Sequence, residues 1–342
     1  MEAPYKVAVI GLGYFSQFHL DAWRDIADTE LCGVFDLDAV RTQEIAAEYR
    51  TKTFQSVEDL TCEQLDIIDI VAPPPAHKAL IETFASDGRV IICQKPFCTS
   101  LKEAEAVAAL AKKRGCTLII HENFRFQPWY REIKSVLESG ELGHVYQARF
   151  ALRPGDGRGK DAYLSRQPAF RTMDRLLIHE TGVHFVDLFQ FLFGDIQSVY
   201  ADIENLNPVL AGEDAGVMLM QHTTGTRTML DGNRLLDHAA ENTRHTMGEM
   251  EIEAENGTLR LDGFGKITMR KFGELSWSEL PVSEPIDDIR FGGGCVEALN
   301  RHVVAALNGT KKFENTAAEY LSVIRVTDAA YVSAETATKQ TL

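Results

Sequence analysis

Lys6-Val-Ala-Val-Ile10 runs straight into Gly11-Leu-Gly13-Tyr-Phe-Ser16, and a stretch of helical period follows over 16–27. A short run rich in β-branched residues that ends in glycines and opens a helix is the strand–turn–helix start of a βαβ unit. Gly11 permits the tight turn, and Gly13 lets backbone N–H groups approach a pyrophosphate at the positive end of the helix. Ser16 stands where a third glycine is usual, a place that asks only for a small residue between helix and strand. Asp36 closes the next predicted strand, 20 residues after Ser16, where a carboxylate accepts from ribose hydroxyls. The same carboxylate repels a 2′-phosphate, and its neighbours Leu37 and Asp38 offer no guanidinium to bind one. NAD is therefore expected ahead of NADP, with Arg41 the nearest cation.

Outward from this stretch, β-rich runs at 30–35, 67–71, 90–93 and 117–120 alternate with helical segments at 39–49, 76–86 and 100–114. Thr99 or Ser100 caps the last of these, with Glu103 completing the box. Such alternation predicts a parallel sheet, hence an N-terminal Rossmann domain over residues 1–122 that holds NAD(P). The alternation stops near 122. A helix at about 128–139, a polar Gly- and Arg-rich connection at 153–171 and an amphipathic helix at about 179–193 come next. Period-two strands follow near 196–205, 214–222, 225–232, 247–254, 257–262, 266–272 and 275–281, then helices at about 292–307 and 315–337. The class is α/β, with a C-terminal α+β domain over 123–342 built on a large, mostly antiparallel open sheet. The closing helices are able to pack back on the first domain.

The 342 residues carry 45% hydrophobic and 25% charged side chains, the proportions of a folded globular chain. Lys and Arg number 35 against 50 Asp and Glu, and the net charge of −15 argues against nucleic acid and anionic membranes as partners. No apolar run approaches the length of a membrane span, and the N-terminus does not read as a signal peptide, so a cytoplasmic protein is expected. The six cysteines show no C-x-x-C spacing and read as reduced, mostly buried thiols, Cys93 and Cys98 beside Lys95 included. Asn256-Gly-Thr and Asn308-Gly-Thr read as Asn-Gly turns.

Further segments stand in a telling order: Val71-Ala-Pro-Pro-Pro-Ala-His77, Gln94-Lys95-Pro96, Glu122-Asn123-Phe-Arg125-Phe and Glu180-Thr-Gly-Val-His184-Phe-Val-Asp187. Over essentially its whole length the chain resembles the glucose–fructose oxidoreductase and inositol dehydrogenase (Gfo/Idh/MocA) family, and its motifs look most like the apiose-dehydrogenase branch. That resemblance implies NAD(P)-linked oxidation of a sugar or polyol hydroxyl. It also implies a second domain whose open sheet serves homo-oligomerisation, as a dimer or tetramer. The cofactor would be held by Gly11, Gly13, Tyr14, Phe15, Ser16, Asp36, Pro73, His77, Gln94 and Lys95. Substrate would meet Lys95, Asn123, Arg125, Arg153, Arg166, Glu180 and His184.

Oxidation of a hydroxyl needs a base for its proton and a cation or donor for the alkoxide-like oxygen. Lys95 sits just past the strand at 90–93, at the carboxyl edge where open α/β sheets bind ligands, and the family match puts its ammonium in the site. The family usually has glutamate where this chain has Gln94, and losing that carboxylate is expected to ease proton loss from Lys95. His184 is assigned as general base. Glu180, four residues earlier on a predicted helix, takes the place of the family's aspartate and orients His184 or a substrate hydroxyl. His179-Glu180-x-x-x-His184 is not a zinc motif, because the histidines stand five apart instead of four around the acid, so no metal is expected. Trp129 and Phe126 read as core.

These residues point to an NAD-dependent dehydrogenase acting on an aldose such as apiose at its anomeric hydroxyl. The alternatives are an inositol or polyol dehydrogenase, an enzyme that exchanges hydride between two sugars on a retained cofactor, and a nucleotide-binding regulator without chemistry. A regulator has no need of both Lys95 and His184.

Overall fold

In the computed structural model, which describes residues 3–342, the opening strand is β1 (Tyr5–Ile10), buried from Val7 to Ile10. It is followed by α1 (Ser16–Asp25), β2 (Thr29–Phe35), α2 (Ala39–Tyr49), β3 (Lys52–Thr53), α3 (Val57–Thr61), β4 (Ile67–Ile70), α4 (Pro74–Phe84), β5 (Val90–Cys93), α5 (Leu101–Lys113) and β6 (Thr117–Ile120). The six strands pair in the order β3-β2-β1-β4-β5-β6, all parallel. Every residue of β4 and β5 is buried, as a parallel sheet with crossover helices requires. Asp69 is the one charged residue in those two strands, and it is wholly enclosed.

Three helix starts follow the capping rules. Asp38 accepts from the amides of Val40 and Arg41 at α2, Ser56 from Asp59 at α3, and Ser100 from Glu103 at α5. Glu103 reaches back past the Ser100 cap to the Thr99 amide (2.9 Å) and hydroxyl (2.6 Å), one residue earlier than the expected box.

The second sheet is built from α6 (Pro128–Ser139), β7 (Val145–Leu152), α7 (Val183–Phe193), β8 (Ile196–Glu204), β9 (Ala215–His222), β10 (Arg227–Asn233), β11 (Gly248–Ala254), β12 (Gly257–Leu261), β13 (Ile267–Lys271) and β14 (Ser278–Leu280). Then come α8 (Cys295–Leu307), α9 (Ala317–Thr336) and β15 (Gln340–Thr341). The order is β14-β13-β12-β11-β7-β10-β9-β8-β15. All pairs are antiparallel except β7–β10. The sheet is thus mostly antiparallel, with Ala148, Phe150 and Leu152 of β7 facing the core. β7 is a strand that sequence periodicity did not announce, as are β3 and β15. The connection at 153–171 is not a bare loop: it encloses a small core of Ala162, Tyr163, Phe170, Leu176 and Leu210.

The chain divides into two compact units. One runs up to Asn123 and takes in Val296–Leu321, and the other holds Phe124–Cys295 with Ser322–Leu342. Among the described residues no helix is long and apolar enough to cross a membrane.

Candidate active site

At the end of β1 the backbone turns at Gly11 with φ +93°, a conformation that L side chains rarely adopt. A Cβ there would lie 2.4 Å from the Ala72 amide nitrogen and 2.6 Å from its Cα. Gly13 is the opposite case, exposed and with nothing within 4 Å of the place a Cβ would take. The protein's own packing does not require a glycine there, and the open backbone leaves room for close approach of a ligand.

Ser16 is buried and its hydroxyl donates to the Gly13 carbonyl (2.7 Å), closing the loop onto the helix. No side chain caps α1, unlike α2, α3 and α5, and no acid stands in its first turn, unlike α3 and α5. The Ser16 and Phe18 amides bond back to the Gly13 and Phe15 carbonyls, and the positive end of the helix suits an anion beside the loop. Tyr14 is exposed, edge-on to Phe18, and Phe15 packs between Phe18 and His19. Asp36 follows β2 and braces the loop: one oxygen accepts from the Leu12 amide (2.6 Å), the other from that of Asp38 (3.0 Å). A carboxylate has lone pairs beyond these two bonds, as a ribose diol needs. Leu37 is almost fully exposed, and Arg41 reaches back to the Leu12 carbonyl (3.1 Å). The loop, the uncapped helix and the braced carboxylate together fit a dinucleotide.

Pro73 leads into α4 beside this loop. His77, expected against the cofactor, lies between two backbone carbonyls. It is completely buried, with Nδ1 2.8 Å from the Phe97 carbonyl and Nε2 2.7 Å from that of Ala72, so it ties two loops together. Burial lowers its pKa below the ordinary histidine value, although both carbonyls oppose that shift.

After β5, Lys95 is half-buried and its amide donates to the Gln94 side-chain oxygen (3.2 Å). The Gln94 side chain points inward, to His19 and His121. Burial pushes the Cys93 thiol well above its ordinary range and that of Cys98 up to about 12, the reverse of what a nucleophilic thiolate needs. Past β6, Glu122 is enclosed, its carboxylate accepting from Tyr320 and its carbonyl from the Asn315 side chain, and Asn123 is buried next to it.

In the second unit, Glu180 lies in a π-helical turn, Leu177–Gly182, and His184 in the first turn of α7. The expected continuous α-helix with a shared i,i+4 face is corrected on this point. The π turn widens the helix by about one residue, which shifts Glu180 around the axis relative to His184. Nor is α7 amphipathic, since almost all of it is buried. The His184 ring is stacked on Phe124, with centroids 3.9 Å apart and planes within 2° of parallel.

The Thr181 hydroxyl donates to Glu180 (2.8 Å) and accepts from Arg234 (2.6 Å). Arg234 is 1% exposed and donates also to the Tyr163 hydroxyl (2.6 Å) and to Asp156 (3.4 Å). Asp156, Tyr163, Thr181 and Arg234 had no place in the sequence reading. The available signal was an arginine at the end of an apolar-alternating strand, which a solvated strand end explains equally well.

Three arginines expected at substrate meet carboxylates. Arg125 forks onto both oxygens of Asp187, with its guanidinium 5.0 Å over Phe191. Arg153 holds Asp231 (2.6 Å) and Arg166 holds Asp156 (2.9 Å). The Arg125 fork and the two single ion pairs hold the framework of the second unit.

Residues 5–122 match the model of the oxidoreductase family with an NAD-binding Rossmann fold, and residues 130–260 that of the GFO/IDH/MocA C-terminal domain. The D-apiose dehydrogenase of Paraburkholderia graminis is 30% identical over 338 residues, covering 96% of this chain and 88% of that one. The D-apiose dehydrogenase of Rhizobium rhizogenes is 28% identical over 341 residues, covering 96% and 95%. Among solved structures, an oxidoreductase from Agrobacterium radiobacter in complex with NAD+, L-tartaric acid and magnesium matches at a TM-score of 0.90 and 26% identity, over 99% of this chain and 98% of that one. The dinucleotide cradle thus lies in the segment where the first family model matches, and the chain belongs to the GFO/IDH/MocA family of NAD-binding oxidoreductases.

Proposed function

We propose that the protein oxidises the anomeric hydroxyl of a small cyclic aldose, D-apiose or a close relative, to the lactone. The observation that carries this reading is the likeness to two D-apiose dehydrogenases along 96% of the chain. Bound NAD supplies the hydride acceptor. The anomeric carbon loses hydride, its hydroxyl loses a proton, and the products are lactone, reduced cofactor and one released proton.

His184 takes that proton on an imidazole nitrogen, its ring kept in one plane by Phe124. A hemiacetal hydroxyl is more acidic than an ordinary secondary alcohol, which suits a neutral imidazole. The Lys95 ammonium stabilises the charge developing on the oxygen. Glu180, steadied through Thr181 by Arg234, orients His184 or a sugar hydroxyl. Asn123 donates to a remaining hydroxyl, while Arg125, Arg153 and Arg166 support the site through their carboxylate partners.

In the same reading the enzyme works in the cytoplasm, which suits its free cysteines. Copies associate through the outward sheet face, where Tyr200, Leu219 and Met229 form a row across β8, β9 and β10. Light scattering reads that association, and a monomer at micromolar concentration refutes it.

A panel of aldoses, inositols and open-chain polyols with NAD, followed by reduced-nicotinamide absorbance, tests the substrate. Cyclic aldoses are expected to turn over and acidify the medium as the lactone hydrolyses; inert aldoses beside active inositols or polyols overturn the reading. Lys95→Ala and His184→Ala are each expected to lower kcat about a hundredfold or more while NAD binding persists. Near-normal turnover in either variant moves the chemistry to other residues.

A further inference from the structure

Behind Lys95 lies a buried polar cluster drawn from four parts of the first unit: His19 on α1, Asp69 in β4, Gln94 after β5 and His121 after β6. Gln94 Nε2 is 2.8 Å from His19 Nε2 and 3.1 Å from His121 Nδ1, and Gln94 Oε1 is 3.2 Å from the Lys95 amide. On the far side, His19 Nδ1 is 2.8 Å from Asp69 Oδ2, which also accepts from the Trp23 indole (2.7 Å).

A backbone amide only donates, so the atom of Gln94 that meets Lys95 must be the oxygen. The Gln94 NH2 group therefore faces the two imidazoles, and its two hydrogens need two bare ring nitrogens. His19 Nε2 and His121 Nδ1 must both accept. His19 then carries its proton on Nδ1, where Asp69 accepts it, and His121 carries its own on Nε2. The two rings lie with centroids 4.1 Å apart, where two positive charges would repel strongly.

We propose that Gln94 is a positioning residue that holds His19 and His121 neutral in opposite tautomers while pinning the Lys95 backbone at the end of β5. A single amide does all three things, and a glutamate at 94 does not. Its oxygens require protons on His19 Nε2 and His121 Nδ1, which makes His19, already giving its other proton to Asp69, an imidazolium between two carboxyls. A rotated Gln94 amide that accepts from the imidazoles sets the Gln94 NH2 against the Lys95 N–H.

The consequence for turnover rests on the reading of Lys95 given above, whereas the tautomers do not. Long-range 1H–15N spectra of ring-labelled histidine, with signals assigned by their loss in His19→Asn and His121→Asn, read the cluster directly. In the unaltered protein at neutral pH, His19 is expected as the Nδ1–H form and His121 as the Nε2–H form. In Gln94→Glu, which is isosteric, His19 Nε2 and His121 Nδ1 are expected to gain protons. An imidazolium or Nε2–H His19 in the unaltered protein, or an unchanged pattern in Gln94→Glu, overturns the proposal. Gln94→Leu, which leaves the Lys95 amide without its acceptor, is expected to lower kcat at least about tenfold with the KM for NAD changed less than about twofold, and parallel losses in both overturn the positioning role. If Lys95→Ala is fully active while the tautomers are as stated, the catalytic reading fails and this one stands.

Discussion

Replacing Gly11 and Gly13 separately, each by alanine, distinguishes a glycine that the fold needs from one that the ligand needs. At Gly11 two costs combine. A φ of +93° is unfavourable for an L residue by about 1–2 kcal/mol. The new methyl also meets Ala72 N at 2.4 Å, Ala72 Cα at 2.6 Å and the Val71 carbonyl carbon at 2.7 Å, all of them backbone. Ordinary carbon contacts lie near 3.5–4.0 Å, so β1 and β4, which are hydrogen-bonded neighbours, must part by roughly 1 Å. Overpacking of that kind costs about 1–3 kcal/mol. The expected loss is about 2–5 kcal/mol, a large fraction of typical domain stability and a fall in Tm of roughly 5–15 °C. At Gly13 nothing lies within 4 Å, so Gly13→Ala leaves stability unchanged or raises it by about 0.4–1 kcal/mol through a less flexible unfolded chain. Its methyl still obstructs a pyrophosphate, and NAD affinity is expected to drop about tenfold or more, some 1.4 kcal/mol. Differential scanning calorimetry and calorimetric NAD titration read the two effects apart. If Gly13→Ala binds NAD as before, or if both variants lose stability alike, the assignment of the loop is refuted.

Asp36→Ala removes the acceptor for the Leu12 and Asp38 amides together with the charge facing a 2′-phosphate, so NAD binding should weaken more than NADP binding and the two should converge. Equal titration curves for NAD and NADP in the unaltered protein contradict this. Burial lowers the pKa values of His77, His222 and His245, so the folded state binds fewer protons than the unfolded chain below the ordinary value near 6.5. That contribution to stability is complete above about pH 6.5 and is lost as pH falls toward the depressed values, and a Tm that does not decline between about pH 7 and 5.5 counts against it.

How far the sequence could be read depended on how local the signal was. Val90–Cys93 and Thr117–Ile120 are apolar runs between polar turns, and the structure reproduces both limits. β7 was missed because Val145-Tyr-Gln-Ala-Arg-Phe-Ala-Leu152 alternates with two small alanines on it, and both its partners begin some 80 or more residues later. The π turn at Leu177–Gly182 changes hydrogen-bond spacing without changing which residues are apolar, so periodicity reads it as ordinary helix. Within the site, the glycine loop and Asp36 were legible because the chemistry demands them at fixed spacing. The partner of Arg125 lies 62 residues away, and no local pattern distinguishes a paired arginine from a solvated one. Asp69 was legible and unread: a carboxylate inside Ile67-Ile-Asp-Ile70 cannot be a surface residue of a buried strand.

The strand β7 also sets a timetable for the chain. It is the first strand of its sheet to leave the ribosome, yet it pairs on one side with Arg227–Gly232 and on the other with Gly248–Ala254. Until those arrive it has two bare edges, the state in which strands recruit one another between chains. Arg149, exposed on the face opposite Phe150, is the one charged residue of the strand, and a charge in an apolar strand disfavours pairing between copies. High-separation pairing of this sort slows folding, and the translation of residues 153–226 is the interval in which both edges of β7 stay bare.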